Sequence, residues 1–363
     1  YLSNYLAPKK TQTLTDYEES KEFENVPIKF DKEPKLLAWC TRTGSDVIVL
    51  DWQTKKVFHK FQARIPRMSK NVKGIPNSSL LCIRSACSDS TSLQIFDVSQ
   101  KRKANEIFTE SVKGGECGGH VLAINSRRNL LGALFDRGSV CYHLYKFDQD
   151  ASNSHNIVKL YRQSRRQPQY KKSNCVADLD FDSAGVRAVN IDSDGLCVVS
   201  DVDRNKYLCH LQIGNQGVEY TGYNRCRWSP INSEPSIFVK YSGVWLNIFD
   251  PEKKKLNLKE RTICLDNSYI SSIDVCPSNG NLLAAGGDDR KIKIFDKRAS
   301  KVVKTFDEIH QDYIGCVQWY PTGDMIATTS ADGTAKVTEF SSGQVIFAKR
   351  AKGKNNFSSV SFF

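Results

Sequence analysis

No C-x-x-C pair occurs among the 12 cysteines of this 363-residue chain. They are spread singly from Cys40 to Cys316, most within apolar strand patterns such as those around Cys197 and Cys226. A free cysteine behaves as a small buried hydrophobe. The usage therefore predicts a reducing compartment, cytoplasm or nucleus, and no disulfide framework. Histidine is scarce as well: six scattered residues, which with the missing cysteine pairs argue against a structural zinc site. No apolar run approaches the roughly 18 residues of a membrane span. Tyr1 to Leu14 is polar and interrupted by proline, unlike a secretory signal. The first residue is not Met, so the chain is expected to be a piece of a longer one. G-x-S-x-G, H-E-x-x-H and G-x-x-x-x-G-K-[ST] are all absent. No catalytic residue, metal or cofactor is expected, and nothing asks for a homo-oligomer.

Two stretches imitate ligand sites. Gly114-Gly115-Glu116-Cys117-Gly118-Gly119 looks like a phosphate cradle, but it leads into the apolar strand pattern HVLAIN rather than a helix whose N-terminus could meet an anion. It reads as a loop. Asp178, Asp180 and Asp182 alternate as in a calcium loop, but Ser183 stands where Gly is needed and Val189 where Glu is needed. They read as solvent-facing residues of a strand and its turn. Asp288, Asp289, Asp192 and Asp194 fall in turns, where Asp bonds its own backbone.

What is present is a repeat. A β-branched strand ending in an aromatic or apolar residue and an acid recurs at Asp51, Asp97, Tyr145, Asp201, Asp250, Asp296 and Glu339, roughly every 48 residues. Before each anchor lies a strand such as IGCVQWYP from Ile314 or ISSIDVCP from Ile270. Then come a polar turn, a short apolar strand such as MIATTS or LLAAGG, and a tight Asp/Gly turn. A fourth strand follows the anchor, as in KVVKTF and QVIFAKR. Helical periodicity is absent from this region. A four-stranded sheet of this size cannot bury both faces alone; radial stacking of seven of them does. The expected fold is all-β, a seven-bladed β-propeller of four-stranded antiparallel blades over residues 28–363, with an extension or arm over 1–27. FSSVSFF at 357–363 matches the first strand of a unit. It either joins the first blade and closes the ring, which is the expectation, or begins an eighth blade.

These units resemble WD repeats. Phe96, Phe249, Phe295 and Leu50 occupy the Trp position, and Asp97, Asp250 and Asp296 keep the acid. The resemblance implies a structural blade network through the turn acids Asp332, Asp194 and Asp289, with Asp136 a further candidate, and through His310. No unit has the complete His–Ser/Thr–Trp–Asp set. The last two full units match best, and those from 62 to 215 are worn. The family implies a non-enzymatic scaffold that holds other proteins of a complex.

The net charge is +12, from 52 Lys and Arg against 40 Asp and Glu. That suits acidic partners, or it keeps a β-rich surface soluble. If WD geometry holds, the turns after the anchors open on one face. They carry Lys55, Lys56, Lys101, Arg102, Lys103, Lys253, Lys254, Lys255, Lys297 and Arg298, joined there by Arg127 and Arg128. A second candidate is the stretch 161–173, with Arg162, Arg165, Arg166, Lys171 and Lys172 interleaved with Tyr161 and Tyr170. Arginine among aromatics suits phosphates and bases, or an acidic or phosphorylated peptide. The readings are therefore an interaction scaffold, a nucleic-acid-associated propeller of the RNA-processing type, and a substrate receptor of a cullin ubiquitin ligase. The last rests on Phe295-Asp296-Lys297-Arg298, which is similar to the Trp-Asp-x-Arg box of such receptors.

Overall fold

A computed structural model describes residues 36–41, 46–62, 70–76, 78–87, 90–99, 104–113, 122–137, 140–148, 156–164, 176–213, 224–231, 235–241, 245–252, 262–264, 268–351 and 357–363. The arm 1–27, the glycine run 114–119, and the cations at 101–103, 165, 166, 171, 172 and 253–255, with Tyr170, lie outside them.

The described residues form 28 strands in seven four-stranded antiparallel sheets. From the axis outward, blade 1 is Phe357–Phe362, Leu36–Thr41, Asp46–Asp51 and Val57–Gln62. Blade 2 is Lys70–Gly74, Leu80–Cys87, Ser90–Asp97 and Asn105–Lys113. Blade 3 is Leu122–Asn125, Leu130–Arg137, Val140–Asp148 and Asn156–Ser164. Blade 4 is Val176–Phe181, Arg187–Asp192, Leu196–Asp201 and Lys206–Gln212. Blade 5 is Arg225–Trp228, Ile237–Tyr241, Trp245–Phe249 and Thr262–Cys264. Blade 6 is Ile270–Val275, Leu282–Gly287, Ile292–Asp296 and Lys301–Phe306. Blade 7 is Ile314–Trp319, Met325–Ser330, Thr334–Glu339 and Val345–Arg350. Each inner strand adjoins the next around the whole ring.

The closing strand decides between the two readings of FSSVSFF. Phe357–Phe362 pairs antiparallel with Leu36–Thr41, and Leu36 and Phe363 exchange both backbone hydrogen bonds. No eighth blade begins there. Pairing this strand removes the open edge that a ring of complete blades would leave.

Seven apolar clusters hold the ring, each spanning one seam between blades. Leu37, Trp39 and Val360 meet Ala327, Val337 and Phe347 across the closing seam. Middle strands read as near-continuous buried runs, MIATTS being buried at all six positions, because both faces of a blade are covered. Gly287 marks the closest approach: a Cβ there would sit 1.9 Å from the Tyr269 carbonyl oxygen.

One irregularity repeats. In six blades the pairing of third and outer strands slips by one residue, next to Leu50, Phe96, Tyr145, Ser200, Phe295 and Thr338. The extra outer-strand residues are Phe58, Ile107, Leu160, Leu208, Val303 and Ile346. Five of these are exposed large hydrophobics. A bulge twists and shields an edge strand, so these exposed residues belong to the edge's own geometry.

Register also corrects one anchor. The second strand's first residue faces the acid in blades 1, 2, 4, 6 and 7, as Leu36 faces Asp51 and Leu282 faces Asp296. In blade 3 the equivalent Leu130 faces Lys146, not Tyr145. Tyr145 takes the Trp position, and a lysine takes the place of the acid.

Candidate functional site

The inner strands have few neighbours toward the axis, so their backbone N–H groups need acceptors from elsewhere. Side chains of the preceding blade supply them. Asp178 Oδ2 accepts from Cys226 N at 2.9 Å, and Asp180 Oδ2 from Trp228 N at 2.7 Å. Ser272 and Asp274 of blade 6 accept from Val317 and Trp319 of blade 7. Gln318 of blade 7 accepts from Phe362, and Ser359 and Ser361 of the closing strand accept from Val72 and Gly74. These bonds form a directional belt around much of the channel.

The belt overturns the reading of Asp178, Asp180 and Asp182 as solvent-facing. Asp178 and Asp182 are buried, and Asp182 caps its own turn through Val186 N and Arg187 N. A register slip between Val176 and Asp178 re-aims the latter toward blade 5. There it also meets the Arg227 guanidinium at 2.7 Å, with Asp274 3.7 Å from the same group. Burial lowers the affinity of Arg227 for its proton, but Asp178, Asp180 and Asp274 more than restore it. Burial pushes the carboxyls of Asp180 and Asp274 up, against the pull of Arg227. Lys240, also enclosed, is pulled down to about 7 by burial and by Arg225, with its Nζ 4.5 Å from the Tyr269 ring.

The blade network appears in its fullest form in blade 7. His310 Nδ1 lies 3.1 Å from Asp332 and 3.0 Å from Thr334 Oγ1, and Nε2 lies 2.8 Å from Thr328 Oγ1. Thr338 stands at the Trp position. Burial lowers His310, partly opposed by Asp332. Burial raises Asp332, but bonds from His310, Thr334 and Gln311 N outweigh it and hold it well below the carboxylate range. Blade 4 solves the same turn differently. Asp194 is exposed; the buried acid is Asp192, which accepts from Asp194 N and Leu196 N. Gly195 and Gly333, both at φ 79°, occupy matching places in the two turns. Asp289 in blade 6 caps Lys291 N and pairs with Lys293 at 2.5 Å.

The described cations of the candidate face are less free than their number implies. Arg128 bridges blades 3 and 4, reaching Asp203 at 2.7 Å and the Gly185 carbonyl at 2.9 Å. Arg298 folds onto Asp296 at 2.8 Å, and Lys297 donates to Ser236. Lys55, Lys56 and Arg127 are exposed. The anchor acids share this end: Asp51, Asp97, Asp201, Asp250 and Asp296 each accept turn N–H groups. The count of twelve cations omitted them. Of the 161–173 stretch, Arg162 lies within the outer strand of blade 3.

One cluster had no local signal. Glu110 of blade 2 accepts from Tyr145 at 2.9 Å and sits 3.1 Å from His143 Nδ1, both on blade 3, and it pairs closely with Lys159 of the same blade. Burial pushes Glu110 up, but Lys159, Tyr145 and His143 together hold it below its ordinary value. The partners are 33 to 49 residues from Glu110 in sequence, so only the fold unites them. Among the described residues no three His, Cys, Asp or Glu gather as metal ligands, and no helix is long and apolar enough to cross a membrane.

Residues 273–362, from blade 6 to the closing strand, match the anaphase-promoting complex subunit 4 WD40 domain. The chain is a WD-repeat β-propeller. This propeller is similar to the periodic tryptophan protein 2 homolog of Caenorhabditis elegans, 40% identical over 145 residues, covering 40% of this chain and 15% of that protein. It is also similar to the probable cytosolic iron-sulfur protein assembly protein 1 of Kluyveromyces lactis, 31% identical over 78 residues, 21% of this chain and 23% of the relative. Human pre-mRNA-processing factor 19 is 29% identical over 68 residues, 19% of this chain and 13% of its own length. Each of these matches spans less than a quarter of the curated relative.

Proposed function

We propose that this propeller is a non-enzymatic interaction module, one subunit or domain of a larger assembly in the cytosol or nucleus. The observation that carries it is the use of the channel's polar groups. Asp178, Asp180, Ser272, Asp274, Ser359 and Ser361 accept backbone N–H groups of the next blade, and Arg227 is enclosed by carboxylates. Polar groups turned to ring assembly leave the faces and rim as the working surface. The relatives named for pre-mRNA processing and for cytosolic iron-sulfur protein assembly support the choice of compartments.

The test is recovery of the full chain from native extract, followed by co-migration of purified companions on size exclusion. A stoichiometric protein companion is the expected result. A chain that stays alone at micromolar concentration with every recovered companion overturns the reading. The second reading, nucleic-acid binding, is favoured by the charge of +12. It requires affinity for RNA that falls steeply with salt, in proportion to phosphates contacted. A flat salt response removes it.

A further inference from the structure

We infer that the ring carries a gate at the seam between blades 5 and 6, where the two blades part reversibly while the seam between blades 6 and 7 stays shut.

The belt is interrupted at this seam. In an inner strand, alternate N–H groups bond to the second strand of the same blade, and the others point toward the axis. Cys276 N bonds to the Leu282 carbonyl, which makes Ile273 and Val275 the axis-side donors of blade 6. Tyr320 N bonds to the Met325 carbonyl, which makes Val317 and Trp319 those of blade 7. Blade 6 serves blade 7 from the residues just before its own donors, Ser272 and Asp274. Blade 4 serves blade 5 from Asp178 and Asp180, and blade 1 serves blade 2 from Ser359 and Ser361. In blade 5 the residues just before the donors Cys226 and Trp228 are Arg225 and Arg227. Arginine carries five donors and no acceptor. Ile273 N and Val275 N therefore meet guanidinium groups where blades 2, 5 and 7 meet oxygens. Ile273 is 0% exposed and Val275 6%, so water has little access to them while the seam is closed. A buried N–H without an acceptor is costly, and parting the seam gives it water.

Two further features favour opening here. Lys240 is fully buried and shares a face of its strand with Phe238, a member of the cluster between blades 5 and 6, so it too regains water when that seam parts. At the rim, the outer strand of blade 5, Thr262–Cys264, is three residues long, against six for Lys301–Phe306 in blade 6. Short, sparsely bonded elements open at lower free energy. The seam is shut at rest by the apolar cluster of Phe238, Leu246, Ile273 and Leu283, by Arg227 at 3.7 Å from Asp274, and by the Ser229 hydroxyl donating to the Gly280 carbonyl. The open form is thus a minor state.

Ala284 and Ala285 are neighbours on the second strand of blade 6 that face opposite seams. Ala285 lies in the cluster between blades 5 and 6, and Ala284 in the cluster between blades 6 and 7. Both are buried. The full chain carrying Ala285→Cys or Ala284→Cys is treated with a maleimide under native conditions, and labelling at each position is followed by peptide mass spectrometry. The expected result is labelling of Ala285→Cys about tenfold or more faster than Ala284→Cys. Adding Arg225→Ser restores at this seam the hydroxyl that Ser272 and Ser359 supply at theirs. It should slow Ala285→Cys about threefold or more and leave Ala284→Cys within about twofold. Equal rates, or faster labelling of Ala284→Cys, overturn the gate. A rate at Ala285→Cys that Arg225→Ser leaves unchanged also overturns the proposal, because the gap in the belt is then not what opens the seam. Hydrogen exchange gives a readout without new cysteines. The amides of Ile273 and Val275 should exchange about tenfold or more faster than those of Val317 and Trp319, and Arg225→Ser should slow them. Equal protection of the two pairs overturns the gate even where a cysteine variant fails to fold.

Discussion

Blades 6 and 7 and blades 2 and 3 reach the same architecture by different chemistry. Blade 7 is fixed from within: His310, Asp332, Thr334 and Thr328 tie one blade's turn to its own second strand. Blades 2 and 3 are tied to each other at the rim, where Glu110 of one gathers Tyr145, His143 and Lys159 of the other. The family match covers the first pair and leaves out the second. Yet the third-to-outer bulge recurs in blades 2, 3, 6 and 7 alike. Divergence of sequence is therefore a change in how a blade is fastened, not a loss of the blade.

The largest expected effect comes from removing the element on which both regions depend. Deletion of 357–363 strips the inner strand from blade 1 and the acceptors Ser359 and Ser361 from blade 2. Cooperative thermal unfolding should vanish from calorimetry. Survival of a sharp transition in blades 6 and 7 alone, seen by protease mapping, would break the comparison by making those blades independent.

Next is Asp178→Ala, which leaves Arg227 enclosed without its nearest carboxylate and Cys226 N without its acceptor. Orphaning one member of a buried pair costs about 3–5 kcal/mol, read from urea denaturation. A loss below about 1 kcal/mol would mean that Asp180 and Asp274 already satisfy Arg227.

The two fastenings can be weighed directly. His310→Ala and Glu110→Gln should each cost about 1–3 kcal/mol, the scale for losing buried or charge-assisted hydrogen bonds. If Glu110→Gln is neutral, blades 2 and 3 are held by the apolar cluster of Phe108, Ile157 and Tyr145 instead.

Acid separates them further. His310 is lowered in the folded chain, so the unfolded chain takes up the proton first, near its ordinary 6.5. Stability should therefore decline as pH falls below about 6.5. Asp332 and Glu110 are lowered carboxyls, whose stabilisation is full above their ordinary 3.8 and 4.5 and is lost as pH falls below them. Thermal midpoints should fall in two stages. His310→Gln should shrink the first stage, leaving the share of His59, which burial also lowers, and Glu110→Gln should remove only part of the second. The smallest effect is Lys55→Glu on an exposed turn, within about 0.5 kcal/mol.

The turn acids of blade 7 were legible because an Asp-Gly turn bonds within a few residues. Asp194 misled because Asp192, two residues earlier, takes the buried place. The alternation of Asp178, Asp180 and Asp182 was visible in the sequence, but the first two serve backbone donors 48 residues away, and only Asp182 caps its own turn. The positive face was overcounted because anchor acids on the same turns were read as punctuation and not as charge.

The sequence alone determined the repeat and its seven anchors; that the last strand closes the ring and begins no eighth blade was decided by its pairing in the structure. The repeat and its anchors depend on local alternation and turn residues, whose period survives even where the acid is lost, as at Lys146. Only the tertiary structure decided which polar groups are consumed and which remain. That outcome depends on which blade stands next to which: Asp178 is spent on blade 5, Arg128 on Asp203 and Glu110 on blade 3, while Lys146 and Val158 stay exposed.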